Sequence, residues 1–149
     1  MADFTIQITE NVKLNGVQRG SQINKIISGI NYTDNRILNT VSGSETTIFE
    51  LSNADGAGTF VTSSLKYARI TNIDTTSSIN LKVSSSTEQL NFKVTPGDSF
   101  MLSTSNITGS ILSGSDPVFS YGDISSIKVE PVSPPTGSSA QIEYIIATT

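Results

Sequence analysis

Two short stretches decide the fold: residues 79–83 are Ile-Asn-Leu-Lys-Val and residues 90–94 are Leu-Asn-Phe-Lys-Val, with Pro-Gly-Asp following at 96–98. In both stretches, apolar side chains alternate with Asn or Lys, so every second residue shares a face. This alternation is typical of half-buried antiparallel strands. It recurs along the chain without any reactive constellation, which predicts a protein that works as a surface rather than as a catalyst.

The composition agrees with a chain of short strands. The protein has 149 residues and a mass of 15.8 kDa, enough for one domain with a hydrophobic core. Charged residues make up only 15%, whereas 24 serines and 18 threonines contribute 42 small hydroxyl groups. Low charge with abundant Ser, Thr, Asn and Gly favours strands joined by turns over helical bundles, which are rich in Glu, Lys, Ala and Leu.

Charge and missing residue types exclude several classes of function. The net charge is −4 and the basic residues are scattered, so we expect neither nucleic-acid binding nor attachment to a membrane surface. The chain contains no cysteine and no histidine. Disulfides, thiolate metal sites and the commonest general base near neutral pH are therefore excluded. Without a signal sequence or a long apolar run, we expect a soluble protein made in a cytoplasm.

Turn residues divide the chain into about eight to ten short strands, at the spacing expected of a sandwich. Together they predict an all-β fold, a single antiparallel β-sandwich domain over residues 1–149. The candidate segments are 4–9, 12–14, 23–41 with a break near 32–35, 46–51, 65–73, 79–83, 90–94, 100–102, 124–132 and 140–148.

Three local features carry more specific expectations. Asn15-Gly16 is the dipeptide favoured by a tight type I′ hairpin turn, because both central residues need positive φ. Residues 103–122 form a Ser/Gly-rich connection, with a short strand near 111–112 or 118–119. The last two strands should form a terminal hairpin that pairs Ile127 and Val129 with Ile142, Tyr144 and Ile146.

Acidic residues are the remaining candidates for catalysis, and we assign them structural roles. A glycosidase would need two carboxyl groups roughly 5–10 Å apart. The aspartates mostly adjoin Gly, Asn, Ser, Thr or Pro, where Asp stabilises turns by bonding its own backbone; they are Asp3, Asp34, Asp55, Asp74, Asp98, Asp116 and Asp123. Four glutamates lie in or beside strands and should face solvent, namely Glu50, Glu88, Glu130 and Glu143.

For the other candidate sites, a structural role explains the residues better than a functional one. Residues 116–123 supply too few carboxylates for calcium, and residues 56–58 lack the lysine of a phosphate loop. Without histidine, a serine nucleophile would need a lysine as its base; Ser63 and Ser125 each stand three residues before a lysine, but neither an SDN nor a KTG motif accompanies them, so we assign no nucleophile. Tyr67 could stack on a ligand but is better explained by packing. Arg69 could pair across a subunit contact, although a solvated strand face is favoured. We predict no catalytic, cofactor-binding or metal-binding residues and no cofactor.

The order of segments resembles that of small accessory structural proteins of tailed bacteriophages, particularly marine podoviruses and myoviruses. The likeness covers residues 65–148. It is carried by the stretches YARITNID at 67–74, INLKV at 79–83, FKVTPGDSFML at 92–102, ISSIKV at 124–129 and AQIEY at 140–144.

The resemblance implies a jelly-roll-like virion component of the capsid decoration type. Such a protein would be a homo-oligomer, with a trimer favoured, bound to the major capsid protein or to other virion proteins. It would be made in the host cytoplasm and would have no catalytic residues. Two alternatives stay open: a tail, neck or fibre component, and a carbohydrate-binding module that uses loops 53–58 or 103–122. An enzyme is the least favoured reading.

Overall fold

A computed structural model describes residues 2–51, 59–60, 65–85, 89–103, 108–109, 119–120, 124–132 and 139–149. Within these residues the chain forms strands and turns and no helix, which confirms the all-β prediction. The strands are β1 (Ala2–Thr9), β2 (Lys13–Leu14), β3 (Val17–Gln18), β4 (Gln22–Ile30), β5 (Tyr32–Val41), β6 (Thr46–Leu51), β7 (Thr59–Phe60), β8 (Leu65–Asn72), β9 (Ile79–Ser85), β10 (Gln89–Val94), β11 (Ser99–Leu102), β12 (Thr108–Gly109), β13 (Phe119–Ser120), β14 (Ile124–Pro131) and β15 (Ser139–Thr148).

Two sheets pack face to face as a sandwich. One has five strands in the order β10-β9-β14-β6-β7, and the other has four in the order β11-β8-β15-β5. Their neighbouring strands run antiparallel, apart from the short parallel pair β6–β7. In the described part of the chain the sandwich therefore contains nine strands, whereas β1–β4, which were expected in the same sandwich, form two separate two-stranded sheets.

Eight of these strands pair in a nested order. Strand β5 pairs with β15, β6 with β14, β8 with β11, and β9 with β10. Successive strands of this set lie in opposite sheets, except for the hairpin β9–β10. The pairing is the one obtained when a long antiparallel ribbon is rolled upon itself, so the first and last strands of the sandwich are neighbours.

The predicted terminal hairpin is wrong. Strand β14 lies between β9 and β6, where Ile127 is opposite Val83 and Phe49. Strand β15 lies in the other sheet, between β8 and β5, where Ile142 is opposite Asn72 and Leu38. Alternation shows which residues point inward but does not show which strands are neighbours. The apolar residues of β14 and β15 therefore meet across the core rather than side by side.

The core lies between the sheets and follows the two-residue alternation. Ile79, Leu81 and Val83 are buried, whereas the intervening residues of β9 are partly exposed. The main cluster draws on both sheets; its buried members are Ile48, Phe49, Leu65, Ala68, Ile70, Ile79, Leu81, Val83, Val94, Leu102, Ile124, Ile127, Val129, Ala140, Ile142, Tyr144 and Ile146.

Residues 2–30 form one long hairpin, here called the N-terminal arm. Strands β1 and β4 pair from Phe4–Ile27 to Thr9–Gln22, and β2 and β3 continue the same register to Leu14–Val17. The turn is at Asn15-Gly16, with φ of 50° and 80°, as the dipeptide predicts. The arm ends at Asn31, whose N–H donates to the carbonyl of Thr148. The break between β4 and β5 therefore precedes the predicted interval by one residue.

Candidate interaction surface

The base of the arm packs on the outer face of the four-stranded sheet. Ile6 and Ile30 are buried there against Tyr67 and Ala147. The rings of Phe4 and Tyr67 lie with their centroids 4.8 Å apart, tilted by 39°. These contacts form a second, smaller cluster outside the main core. They hold the arm across strands β15 and β8, so the arm crosses the sheet instead of joining it.

The arm then continues past the sheet edge formed by β11. Lys25 Nζ donates a hydrogen bond to the carbonyl of Ser103, the residue directly after β11. Lys25 is opposite Ile6, so residues 7–24 lie beyond this contact along the arm. The nine residues 7–15 extend roughly 30 Å at about 3.3 Å per residue. The tip of the arm is therefore a projection from the sandwich.

The projecting part carries apolar side chains that contact solvent. Their exposed fractions are between 37 and 56%; they belong to Ile8, Val12, Leu14, Val17 and Ile23. In an antiparallel pair, opposed residues share a face and every second residue returns to it. By that rule these five side chains are on the same face as Phe4 and Ile6, which pack on the sheet. The apolar face of the arm thus continues past the surface that covers its base.

The rest of the outer face of the four-stranded sheet is partly apolar. At its two edge strands, Ile37 is 62% exposed and Met101 is 40% exposed. Between them, Arg69 Nη2 forms a 3.1 Å ion pair with Glu143 Oε2. Arg69 Nη1 also donates to Thr71 Oγ1 at 3.1 Å. This part of the outer face is here called the seat. It has an exposed apolar residue at each edge, Ile37 and Met101, and the Arg69–Glu143 ion pair at its centre.

The outer face of the five-stranded sheet has a different chemistry. Lys82 contacts both Glu45 and Glu130, and Lys128 lies 3.9 Å from Glu45. The hydrogen bond from Lys82 lowers the pKa of the Glu45 carboxyl, and the same bond raises the pKa of Lys82. The two outer faces thus differ: one presents an ionic network, whereas the other presents the arm and the seat.

The structure places the aspartates in several kinds of position. Asp74 Oδ1 accepts the backbone N–H groups of Thr76 and Ser77, each at 2.8 Å, so it stabilises a turn as predicted. Asp98 also lies in a turn, where it accepts a hydrogen bond from Thr95 Oγ1.

The turn interpretation is wrong for Asp3 and Asp34, which lie within β1 and β5. Strand pairing overrides local turn chemistry at these two positions. Asp55, Asp116 and Asp123 lie outside the described residues, as does Glu88. Of the four glutamates expected in or beside strands, the other three are partly buried: Glu50 in β6, Glu130 in β14 and Glu143 in β15. Glu130 and Glu143 pair with cationic side chains.

The structure assigns definite contacts to Tyr67 and Arg69. Tyr67 is only 4% exposed beneath the arm, which confirms packing over ligand stacking. Burial also raises the pKa of its phenol. Arg69 forms a partly exposed ion pair with Glu143 of its own chain on the seat, and its pairing across a subunit contact stays a prediction.

Sequence reasoning missed two buried polar residues. Asn72 Nδ2 donates to the carbonyls of Ser77 and Val94, and its Oδ1 accepts the N–H of Asp74. Tyr144 donates from its hydroxyl to Asp34. In sequence, both residues occupy inward positions of alternating strands, where an apolar residue is expected. A polar residue at such a position is the signal that could have identified them.

A calcium site at 116–123, a phosphate loop at 56–58 and glycan-binding loops at 53–58 or 103–122 fall largely outside the described residues. Within the described ranges, no three Asp or Glu side chains are grouped to hold a metal ion. None of the described elements is a helix able to cross a membrane. No family model, curated protein or solved structure matches this chain. Function therefore has to be inferred from its surfaces.

Proposed function

We propose that this protein is a structural component of a tailed-phage particle, a capsid decoration or cement protein that binds the outer shell as a homo-oligomer. One observation carries the proposal: a sandwich with an ionic face on one side and a projecting apolar-faced arm on the other. Several exposed apolar side chains along one face of a projecting element mark a candidate interaction site. Such a surface suits an assembly subunit.

The strand pairing supports a jelly roll as the finer description of the fold. The eight strands pair as first with last, second with seventh, third with sixth and fourth with fifth. A jelly roll is a double-sheet architecture of eight strands that occurs in viral capsid and lectin domains. Because one fold hosts many functions, topology alone does not favour a phage protein; the surfaces favour an assembly subunit, and the resemblance of residues 65–148 adds the phage particle as its place.

Attachment as an oligomer fits the physics of a capsid lattice. A shell presents many copies of one site, so an oligomer that engages several subunits converts weak individual contacts into firm attachment. The network of Lys82, Glu45, Glu130 and Lys128 already pairs its charges within one chain. This face is therefore suited to solvent, and we place it on the outside of the particle.

The test uses particles of the phage that encodes this chain. Heads that lack the protein are mixed with the purified chain and sedimented, and bound protein is counted per head. We expect saturation at a copy number that follows the capsid lattice. No binding to heads, together with absence from mass spectra of purified virions, would refute the proposal. A copy number that matches a tail or fibre would replace it with the tail alternative.

A further inference from the structure

We propose that the N-terminal arm of one protomer packs on the seat of a second copy and is the element that builds the homo-oligomer. The inference deepens the oligomeric part of the proposed function and rests on it. It uses three observations: the arm has exposed apolar side chains along one face, the same chain offers a surface with exposed apolar residues at its two edges, and the arm and the rest of the chain carry opposite net charge.

The first observation is that the arm uses one face for two purposes. At its base, Phe4 and Ile6 cover Tyr67 on the outer face of the protein's own sheet. Farther along the same face, Ile8, Ile23 and Leu14 are between 37 and 56% exposed to solvent. An isolated two-stranded hairpin is marginally stable in water and needs a surface to pack against. The base of the arm already packs on such a surface, the outer face of the four-stranded sheet.

The second observation is that the chain offers such a surface and that its own arm leaves both ends of it exposed. Ile37 and Met101 mark the two ends of the seat and remain exposed. Lys25, bonded to the Ser103 carbonyl, directs the arm past the β11 edge and away from Ile37 on the opposite edge. Donor and receiver are therefore different parts of one chain. A contact of this head-to-tail kind joins separate copies and closes into a ring when the rotation permits.

The third observation is charge. The arm holds three basic residues, Lys13, Arg19 and Lys25, and two acidic residues, Asp3 and Glu10, for a net charge of +1. The whole chain has a net charge of −4, so the remainder has −5. A cationic arm and an anionic body attract each other between copies. Complementarity of this kind steers encounter and suppresses other arrangements.

The area of one contact is small, and a closed ring adds several contacts together. A two-stranded ribbon about 10 Å wide and about 30 Å long presents roughly 300 Å² on one face. One arm and its seat together bury about 600 Å², which is below the roughly 1,200 Å² of specific interfaces, and a copy in a ring takes part in two such contacts. In a three-membered ring each copy both donates and receives an arm, so the closed assembly contains three such contacts.

The experiment measures the mass of the free protein by light scattering from about 1 to 100 μM, where interfaces of this size associate. We expect three times the 15.8 kDa chain mass. The double substitution Val17→Ser and Ile23→Ser removes two apolar side chains from the uncovered face and should yield monomers. The matched control, Gln18→Ser and Asn24→Ser, changes the adjacent residues on the opposite face and should leave the oligomer intact.

The receiving surface is tested separately on the body. Ile37→Ser with Met101→Ser should also yield monomers, whereas Asn91→Ser with Lys93→Ser on the other sheet should not. If the arm variants lose their circular-dichroism spectrum because they do not fold, the comparison of these two body variants still tests the inference. A wild-type monomer at every concentration overturns the inference. The inference is also overturned if the folded arm variants remain oligomeric. If the seat variants remain oligomeric, the seat is not the receiving surface.

The outcome is separable from that of the proposed function. Mass in solution reports self-association and does not involve a capsid. Head binding reports attachment and can be measured for the Val17→Ser, Ile23→Ser variant as well. A wild-type monomer that binds heads would refute the arm inference alone. An arm-dependent oligomer that ignores heads would refute the decoration proposal alone.

Discussion

The hydroxyl of Tyr144 donates a 2.7 Å hydrogen bond to Oδ2 of Asp34, which joins the last strand of the sandwich to the first. Asp34 Oδ1 accepts a second bond from Arg36 Nε at 2.8 Å. Burial is the main cause that raises the pKa of the Tyr144 phenol, and the bond and charge of Asp34 add to it. The phenol is therefore protonated at neutral pH, as its role of donor requires.

The Tyr144–Asp34 bond should contribute measurably to stability. Tyr144→Phe keeps the ring in the core and removes only the donor, so we expect a loss of about 1.5 kcal/mol in the free energy of unfolding, typical of a bond to a charged acceptor. Urea denaturation measures the loss. Asp34→Asn keeps an acceptor and should cost less. Wild-type stability in Tyr144→Phe would show that the bond contributes nothing net.

Asn72 should be the most sensitive polar position in the described core. Its side chain bonds backbone groups of Ser77, Val94 and Asp74, and these contacts link the end of β8 to the other sheet. Asn72→Ala leaves buried backbone groups without partners, which should cost roughly 3 kcal/mol. Thermal unfolding measures the cost. Asn80→Ala, on the outer side of β9, is the control and should stay within about 0.5 kcal/mol.

Two buried threonines should respond in opposite directions to replacement by valine. Thr40 Oγ1 donates to the Ala140 carbonyl at 3.0 Å, whereas Thr148 Oγ1 is, among the described residues, a buried hydroxyl without a partner. Both residues are fully buried. Thr40→Val should lose about 1 kcal/mol, and Thr148→Val should be neutral or gain up to about 1 kcal/mol. Equal destabilisation of the two variants in urea would contradict this prediction.

The turn at Asp74 should make stability depend on pH. Hydrogen bonds from the backbone of Ser77 and Thr76 hold the pKa of the Asp74 carboxyl below its ordinary 3.8. A lowered pKa in the folded state means that the stabilisation is complete above about pH 4 and declines as pH falls through the folded value. Asp74→Asn should therefore be less stable than wild type at pH 7, by about 1 kcal/mol.

The difference between Asp74→Asn and wild type should shrink as the pH falls below 4, because the carboxyl then takes up a proton more readily in the unfolded chain than in the folded protein. Urea unfolding at pH 7 and at pH 3 measures it. The variant Asp98→Asn, in the neighbouring turn at the same end of the sandwich, is the matched control for replacing a turn aspartate. A difference that stays constant between the two pH values would show that charge is not the cause.

Alternation allowed most strands to be predicted, since a half-buried strand must present every second side chain to the core. Strands β6, β8, β9 and β10 lie within one or two residues of the predicted bounds. The hairpin at Asn15-Gly16 follows from the positive φ that its turn demands. These features depend on neighbours in sequence, and so local chemistry was sufficient for them.

The interaction surface needed more than local chemistry. Ile8, Ile23 and Leu14 have the alternation of an ordinary core strand, and nothing in the sequence shows that they extend beyond a sheet edge. They are exposed because Phe4 and Ile6 pack the base of the arm against Tyr67, so that the rest of the arm extends beyond the sheet. Asn72 likewise looked like one more strand residue, because its partner Val94 lies in the other sheet and 22 residues farther along the chain.

By itself, the sequence determined that this protein is built of strands, where most of them lie and which residues point inward, because alternation and turn geometry act over a few residues. Only the tertiary structure decided that β14 and β15 belong to opposite sheets and that the arm crosses one sheet and leaves it. The physical reason is that strand pairing joins residues far apart in the chain. Any inward-facing apolar strand can pair with several others, and the choice is made by how all of them share one core.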